Sequence, residues 1–387
     1  MFDRRKLIGS AAAIAALGVS RSGLSGSRRE LQEDELMQQG GQPGLVLPLG
    51  PPGSWSAAQA SCPRVLRLAD DDWRMWYYGR DPDFDPLVRL PTGRIGVAQS
   101  RDGLHWQGIA GTGPLGCVLG PADNPASFDS AHVGVGDVQR SAAGFDMWYF
   151  GGPATTTQMG GLPVRGFPLG IGLAQSTDGR QWSRIPGPFA GAWLEHGGPG
   201  DADQFMAGWP QVLRLDDGRL RMYYHSYRPV LNQFVVCAAE SQDGRDWQKL
   251  GEIFGAGEPG AFDAGGPATR QVLRIGERWL MFYEGFADMH ASIGLAESVD
   301  GLHWSRLPGP LKGGAILYRS PAGSGRWDAG AVGTPWVVPM QDGGLRMYYV
   351  GADEREDRLE AEAGARHQIG LALGDGADLT LWRRWNA

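Results

Sequence analysis

The chain has 387 residues and a formal net charge of -7, which argues against nucleic acid or an anionic membrane as the main partner. Apolar residues make up 42% and charged residues 20%, a globular composition with enough apolar mass for a large core. Three cysteines exclude a disulfide framework, while 61 glycines and 26 prolines with no collagen-like period point to many tight turns.

The N-terminus reads MFDRRKLIGSAAAIAALGVS, with Arg4-Arg5 ahead of a short Ala-rich run from Leu7 to Val19. That run is too short and too weakly apolar to span a bilayer, and it suits an export signal. Its Arg-Arg-x-Leu-Ile order resembles a twin-arginine signal. Residues 1–25 are therefore read as the signal of an exported, periplasmic or extracellular protein. The competing reading is a cytoplasmic protein with a flexible tail. Residues 26–43 read as a polar linker, and no other stretch suggests a membrane span.

From residue 44 onward one unit recurs five times, over approximately 44–112, 113–189, 190–251, 252–312 and 313–387. Each copy opens on an approach that holds Ser56, Asp129, Asp203, Asp263 or Asp328, nine residues before a valine. These acids are expected to bond local backbone N–H groups at the strand entry. An aromatic strand follows: MWYYGR, MWYFGG, MYYHSY, LMFYEGF and MYYVGA. Next comes a small-residue strand such as RIGVAQS or SIGLAES, then SRDGLHW, STDGRQW, SQDGRDW or SVDGLHW; the fifth copy, GDGADLTLW, is degenerate but keeps Trp382. Asp-Gly is the dipeptide that a two-residue hairpin favours.

Each copy thus predicts four antiparallel strands, and five in tandem predict an all-β, five-bladed β-propeller. The fifth copy supplies strands of its own, so an exchanged strand closing a ring is not evident, although Leu45 to Leu47 is available to pair there.

Strand direction then sorts the residues. The starts of the first strands and the ends of the second strands share one face. What every copy has reads as scaffold, and what one copy alone has is a candidate for chemistry. Glu284 stands where the other copies have Tyr78, Phe150, His225 and Val350; Asp137 stands where they have Arg64, Gln211, Gln271 and Trp336. Arg270 replaces a proline, and His132, Trp209 and Cys62 are likewise unshared. His105 and His303, inside the Asp-Gly motifs, read as surface packing residues.

The repeated YYxG strands and SxDGxxW motifs resemble the arabinanase/levansucrase/invertase superfamily of furanosidase-like propellers, and the β-mannoside phosphorylases as well. The resemblance implies a glycoside hydrolase or phosphorylase with acidic residues at the channel mouth. One of those acids is an Asp just before Pro in the first blade; here that place reads SCPRV, with Cys62 instead.

Glycoside cleavage needs an acid for the leaving oxygen and a base or nucleophile opposite it. The candidate pair is Glu284 as acid and Asp137 as base. His225 and Arg270 would tune charge or hold a phosphate, while Trp209 and Trp336 would stack on a sugar; His132 and Cys62 complete the candidate binding set. The alternative is a non-catalytic carbohydrate-binding or interaction propeller that has lost its first-blade Asp. No cofactor is expected, and no metal; the acidic stretch Asp81 to Pro86 reads as a solvated loop.

Overall fold

The computed structural model describes residues 42–82, 93–159, 162–288, 290–354 and 366–386. The export signal, all of the linker before Gln42, and the acidic loop beyond Pro82 lie outside them.

The regular secondary structure of the described chain is β-strand, with two short 3-10 turns and no α-helix. Three four-stranded antiparallel sheets correspond to the second, third and fourth repeats. A nine-stranded sheet holds the first and fifth, joined through the parallel pairing of Gln59 with His367. In every repeat the second strand is central and apolar because both of its faces are covered. Met222 to Tyr227, for example, is buried at every position. A continuous buried run bounded by turns is the pattern such a strand must have.

The first strands of the repeats begin at Gln59, His132, Gly208, Pro267 and Ala331. Each touches the next in sequence order, and the fifth touches the first.

Two expectations need correction. Leu45–Leu47 pairs with His367–Gly374, placing Leu45 beside Gly370 and Leu47 beside Ile369. It occupies the place that Leu119, Leu194 and Leu317 take beside Ile95, Ile171 and Ile293 in other repeats. The N-terminal segment therefore completes the fifth repeat, so a strand is exchanged after all. The fifth repeat's own last strand is only Arg383–Arg384, too short to cover that edge alone.

The Asp-Gly motifs, for their part, are not two-residue hairpins. The first connects strands that end at Ser100 and restart at Gln107. Within it the Ser100 hydroxyl accepts the Gly103 N–H, and the Asp102 carboxylate accepts those of Leu104 and His105. Side chains bond the loop's donors, so the loop runs wider than a hairpin turn. Gly103 sits at φ 71, where a side chain would be strained.

A third expectation fails as well: the carboxylates of the recurring approach acids bond side chains rather than local backbone N–H groups. Asp129 accepts the Tyr149 hydroxyl at 3.0 Å and the Arg184 guanidinium at 2.7 Å. Asp203 does the same with Tyr224 and Lys249, Asp263 with Tyr283 and Arg306, and Asp328 with Tyr349 and Arg384. These carboxylates are almost wholly buried, and each ties an approach to a second and a fourth strand. The first repeat has Ser56 beside Tyr77. Gly108 fills the cation's place there, paired with Ala98 as Arg184 is with Ala174. Acid and base are missing together, as expected when either alone would leave a buried charge or an unmet partner.

Candidate active site

All five first strands carry an irregularity in their pairing with the second strand, between Ser61 and Arg64 in the first repeat and at the matching place in the rest. In three of them a non-glycine residue before proline takes positive φ: Cys62 at 52, Trp209 at 49 and Thr334 at 46. That conformation is costly for such residues and clusters at functional sites. A bulge re-aims the side chains around it.

Just past the bulge, the five matched residues bond to the first strand of the following repeat. The Arg64 Nε–H donates to the Gly136 carbonyl. The Val212 N–H donates to Asp137 at 3.0 Å. Gln211 bonds both the N–H and the carbonyl of Val272, and Gln271 both those of Val337. The Trp336 Nε1–H donates to the Val65 carbonyl at 2.9 Å, which returns the series to its start.

Asp137 is thus one member of a circuit of latches. Its carboxylate also accepts the Gln139 amide at 2.7 Å, and that same amide reaches the Val212 carbonyl. Together Asp137 and Gln139 do what a single Gln does in the next two repeats. Burial pushes the Asp137 carboxyl up, opposed first by the Val212 N–H. Trp336 is occupied in the same way: its N–H is bonded, and the Arg64 guanidinium lies 4.8 Å from its ring centroid. Both side chains are thus engaged in bonds within the protein.

Glu284 is placed differently. It sits near the end of a second strand, opposite Ile293, and its Oε2 accepts the Thr334 N–H at 2.9 Å. Burial lifts its carboxyl to about 7, while the Thr334 N–H, the Thr269 hydroxyl and Arg64 pull it down. Across the gap, Gly333 lies so close that a β-carbon there would meet the Glu284 carboxyl carbon at 2.7 Å.

Around it stand aromatic and cationic groups. Trp209 stacks on Phe150 at 4.1 Å and on His225 at 4.6 Å, and its N–H donates to the Cys62 sulfur at 3.2 Å. Its ring is thus already stacked on protein rings. Burial, and then Arg270, hold His225 well below the usual histidine range, so the ring is neutral. Burial lowers Arg270 to about 9; its guanidinium donates to the Trp209 and Tyr223 carbonyls, and its Nε–H is buried without a partner. Burial raises the Cys62 thiol to about 11, so it is not a thiolate at neutral pH and makes a poor nucleophile.

His132 belongs to a neighbouring cluster. It is fully buried, contacts the Gly166 carbonyl at 3.2 Å, leaves Nδ1 without a partner, and is lowered to about 4 by burial.

The structure therefore brings Glu284, Cys62, His225, Arg270 and Trp209 together, and turns Asp137 and Trp336 to structural bonding. Arg64 was passed over as background. It is buried between the two groups; burial lowers its pKa, and Cys62, Asp137 and Glu284 lie close enough to oppose that shift. The clue was in the sequence: one arginine in a position otherwise filled by Asp137, Gln211, Gln271 and Trp336. Among the described residues no cluster of His, Cys, Asp and Glu could hold a metal ion, and no helix is long and apolar enough to cross a membrane.

No family model matches the sequence, and no curated protein matches it. Solved structures do resemble the fold. A glycoside hydrolase aligns over 94% of this chain and 99% of its own, at a TM-score of 0.61 and 18% identity. The chain shares its fold with glycoside hydrolases. A thermostable family-43 glycoside hydrolase matches over 88% of this chain and 96% of its own, with TM-score 0.58 and 14% identity. A third match is described by the statement that the family of mannoside phosphorylases contains glycoside hydrolases targeting β-1,2 mannosidic linkages in Candida mannan. It covers 86% of this chain and 94% of its own, with TM-score 0.55 and 16% identity. These are glycoside hydrolases of propeller-type families, in keeping with the resemblance drawn from the repeats.

Proposed function

We propose that this chain is a carbohydrate-active enzyme on a five-bladed β-propeller, cleaving a glycosidic bond at the channel mouth with Glu284 as general acid. The circuit of contacts from the first strand to the fifth and back supports the five-bladed reading. The observation that carries the activity is the state of Glu284. It is unmatched in the other repeats and raised by burial to about 7. An acid that must give a proton to a leaving oxygen near neutral pH needs such a value.

The second partner of the reaction is set by what else is free. Asp137, the base suggested by the sequence, is held by Val212 and Gln139. A water nucleophile needs a base to take its proton, whereas a phosphate dianion does not. Phosphate attacks the anomeric carbon as the glycosidic C–O bond breaks, and the Glu284 proton goes to the departing oxygen. Arg64 and Arg270 supply buried positive charge nearby. This favours phosphorolysis over hydrolysis. Incubating the protein with β-mannosides and other oligosaccharides, with and without inorganic phosphate, tests it. A glycosyl phosphate as product supports the reading; free sugar at an equal rate without phosphate points to water and returns Asp137 to the role of base.

A second reading, a binding propeller without turnover, is favoured by the same engagement of Asp137 and by Cys62 in the place of the expected Asp. Sugar binding by the wild type, with no product on any substrate, would select it. Export through the N-terminal signal remains part of the proposal, tested by whether residues 1–25 are missing from protein recovered outside the cytoplasm.

A further inference from the structure

A second region lies further along the first strands, past the latches. Three residues past each latch, four repeats carry an arginine: Arg67, Arg140, Arg214 and Arg274; the fifth has Pro339. All four line one cavity of about 510 Å³, a ligand-sized space. Its wall is apolar, with Leu66, Val138, Leu213 and Leu273 from four different strands. The latch residues Asp137, Gln211, Gln271 and Trp336 also line it.

A residue repeated around a fold is usually explained by one shared bond. Three of these share a ring contact, Arg67 over Trp73 at 5.5 Å, Arg140 over Phe145 at 5.9 Å and Arg274 over Trp279 at 5.3 Å, while Arg214 is paired with Leu220 instead; the polar partners of the four are not shared. Arg67 meets Asp70 at 2.8 Å, and Arg274 meets Asp216 at 2.8 Å, both with well-exposed partners. Arg140 bonds only the Leu68 carbonyl, and Arg214 only the Gly218 carbonyl. Neither has an acidic partner among the described residues. In a chain of net charge -7, four cations converge on one apolar hollow, and two of them are uncompensated. Asp137 is the only acid in the lining, and it is spent on the Val212 N–H.

We propose that this cavity binds a small organic anion, its apolar body against the leucines and its charged group between Arg140 and Arg214. The site is independent of the one around Glu284 and does not rest on the function proposed for it.

Anilinonaphthalene sulfonate, an apolar ring system with one anionic group, is the probe. Titrated into the full chain and followed by fluorescence, it is expected to saturate at one site and to weaken as salt is raised. Arg140→Gln and Arg214→Gln are each expected to weaken it roughly tenfold, the ratio for losing one charge-assisted hydrogen bond. Both side chains are exposed at the rim, so the fold should survive, and circular dichroism checks this. Glu284→Gln is expected to leave the affinity unchanged. Absence of saturable binding, wild-type affinity in both arginine variants, or loss of binding in Glu284→Gln would each overturn the proposal.

Discussion

The backbone N–H of Thr334 donates to Oε2 of Glu284 at 2.9 Å, from the first strand of one repeat to the second strand of the one before it. Burial and this bond act in opposite directions on the same carboxyl. Burial disfavours the charge, the N–H favours it, and the balance stands near neutrality with burial ahead.

That balance gives stability a pH dependence of known sign. A carboxyl raised from 4.5 to about 7 by folding binds its proton more tightly in the native state. Stability from this group is full below pH 4.5 and is lost as pH rises to about 7. Glu284→Gln removes the dependence. The variant should gain up to roughly 3 kcal/mol relative to wild type between pH 4.5 and pH 8. Denaturant melts at the two pH values measure it, and an equal difference at both would contradict the burial of Glu284.

The latches predict two contrasting substitutions. Gln271→Ala strips both the N–H and the carbonyl of Val337 of their partner and should cost about 3 kcal/mol, the penalty for buried groups left unbonded. Asp137→Asn keeps an acceptor for Val212. It should leave turnover within several-fold of wild type, whereas loss of a general base costs roughly 10²–10⁴-fold. A loss of that size in a folded Asp137→Asn protein would make Asp137 catalytic.

The buried acid–tyrosine–cation sets should be unequal. Asp263→Ala leaves the Tyr283 hydroxyl and the Arg306 guanidinium without their acceptor and should destabilise by about 3 kcal/mol, reduced from the fully buried case because Arg306 is partly exposed. Ser56→Ala, at the neutral position of the first repeat, should cost no more than about 1 kcal/mol. Chemical denaturation compares them; equal losses would mean that the charges add nothing.

Acid should weaken the fold through buried histidines. His132 is held at about 4 and His225 is also lowered, both first by burial. Unfolded histidines take up protons near 6.5, so this stability is present above that pH and is lost as pH falls toward 4. His132→Gln should flatten the decline in melting temperature between pH 6.5 and pH 4.5. An unchanged slope would contradict neutral burial of that ring.

The repeats made much of the fold legible. Their aromatic runs, small-residue strands and Asp-Gly motifs recur in register, and local pattern decides where a strand lies. What pattern could not show was where a side chain ends. Asp137 and Glu284 look alike in sequence, each an acid alone among five matched residues. They differ because one follows the bulge and reaches the next strand's backbone, while the other sits buried near the end of a second strand. Arg64 was missed for the same reason: its importance comes from the groups that fold around it. Leu45–Leu47 could be named from the sequence as available to pair with the fifth repeat, but its distance of over three hundred residues from its partner Gly370 left the exchange undecided.

The central claim is that Glu284 gives a proton to a leaving group, and leaving-group dependence tests it most directly. Wild type and Glu284→Gln would be assayed on glycosides of one sugar, some with a poor leaving group and some with a dinitrophenyl group that departs without help. The account predicts that the variant loses roughly 10²–10⁴-fold on the first and little on the second. Equal rates for both proteins on the poor leaving group, or an equal loss on both substrates, would contradict it.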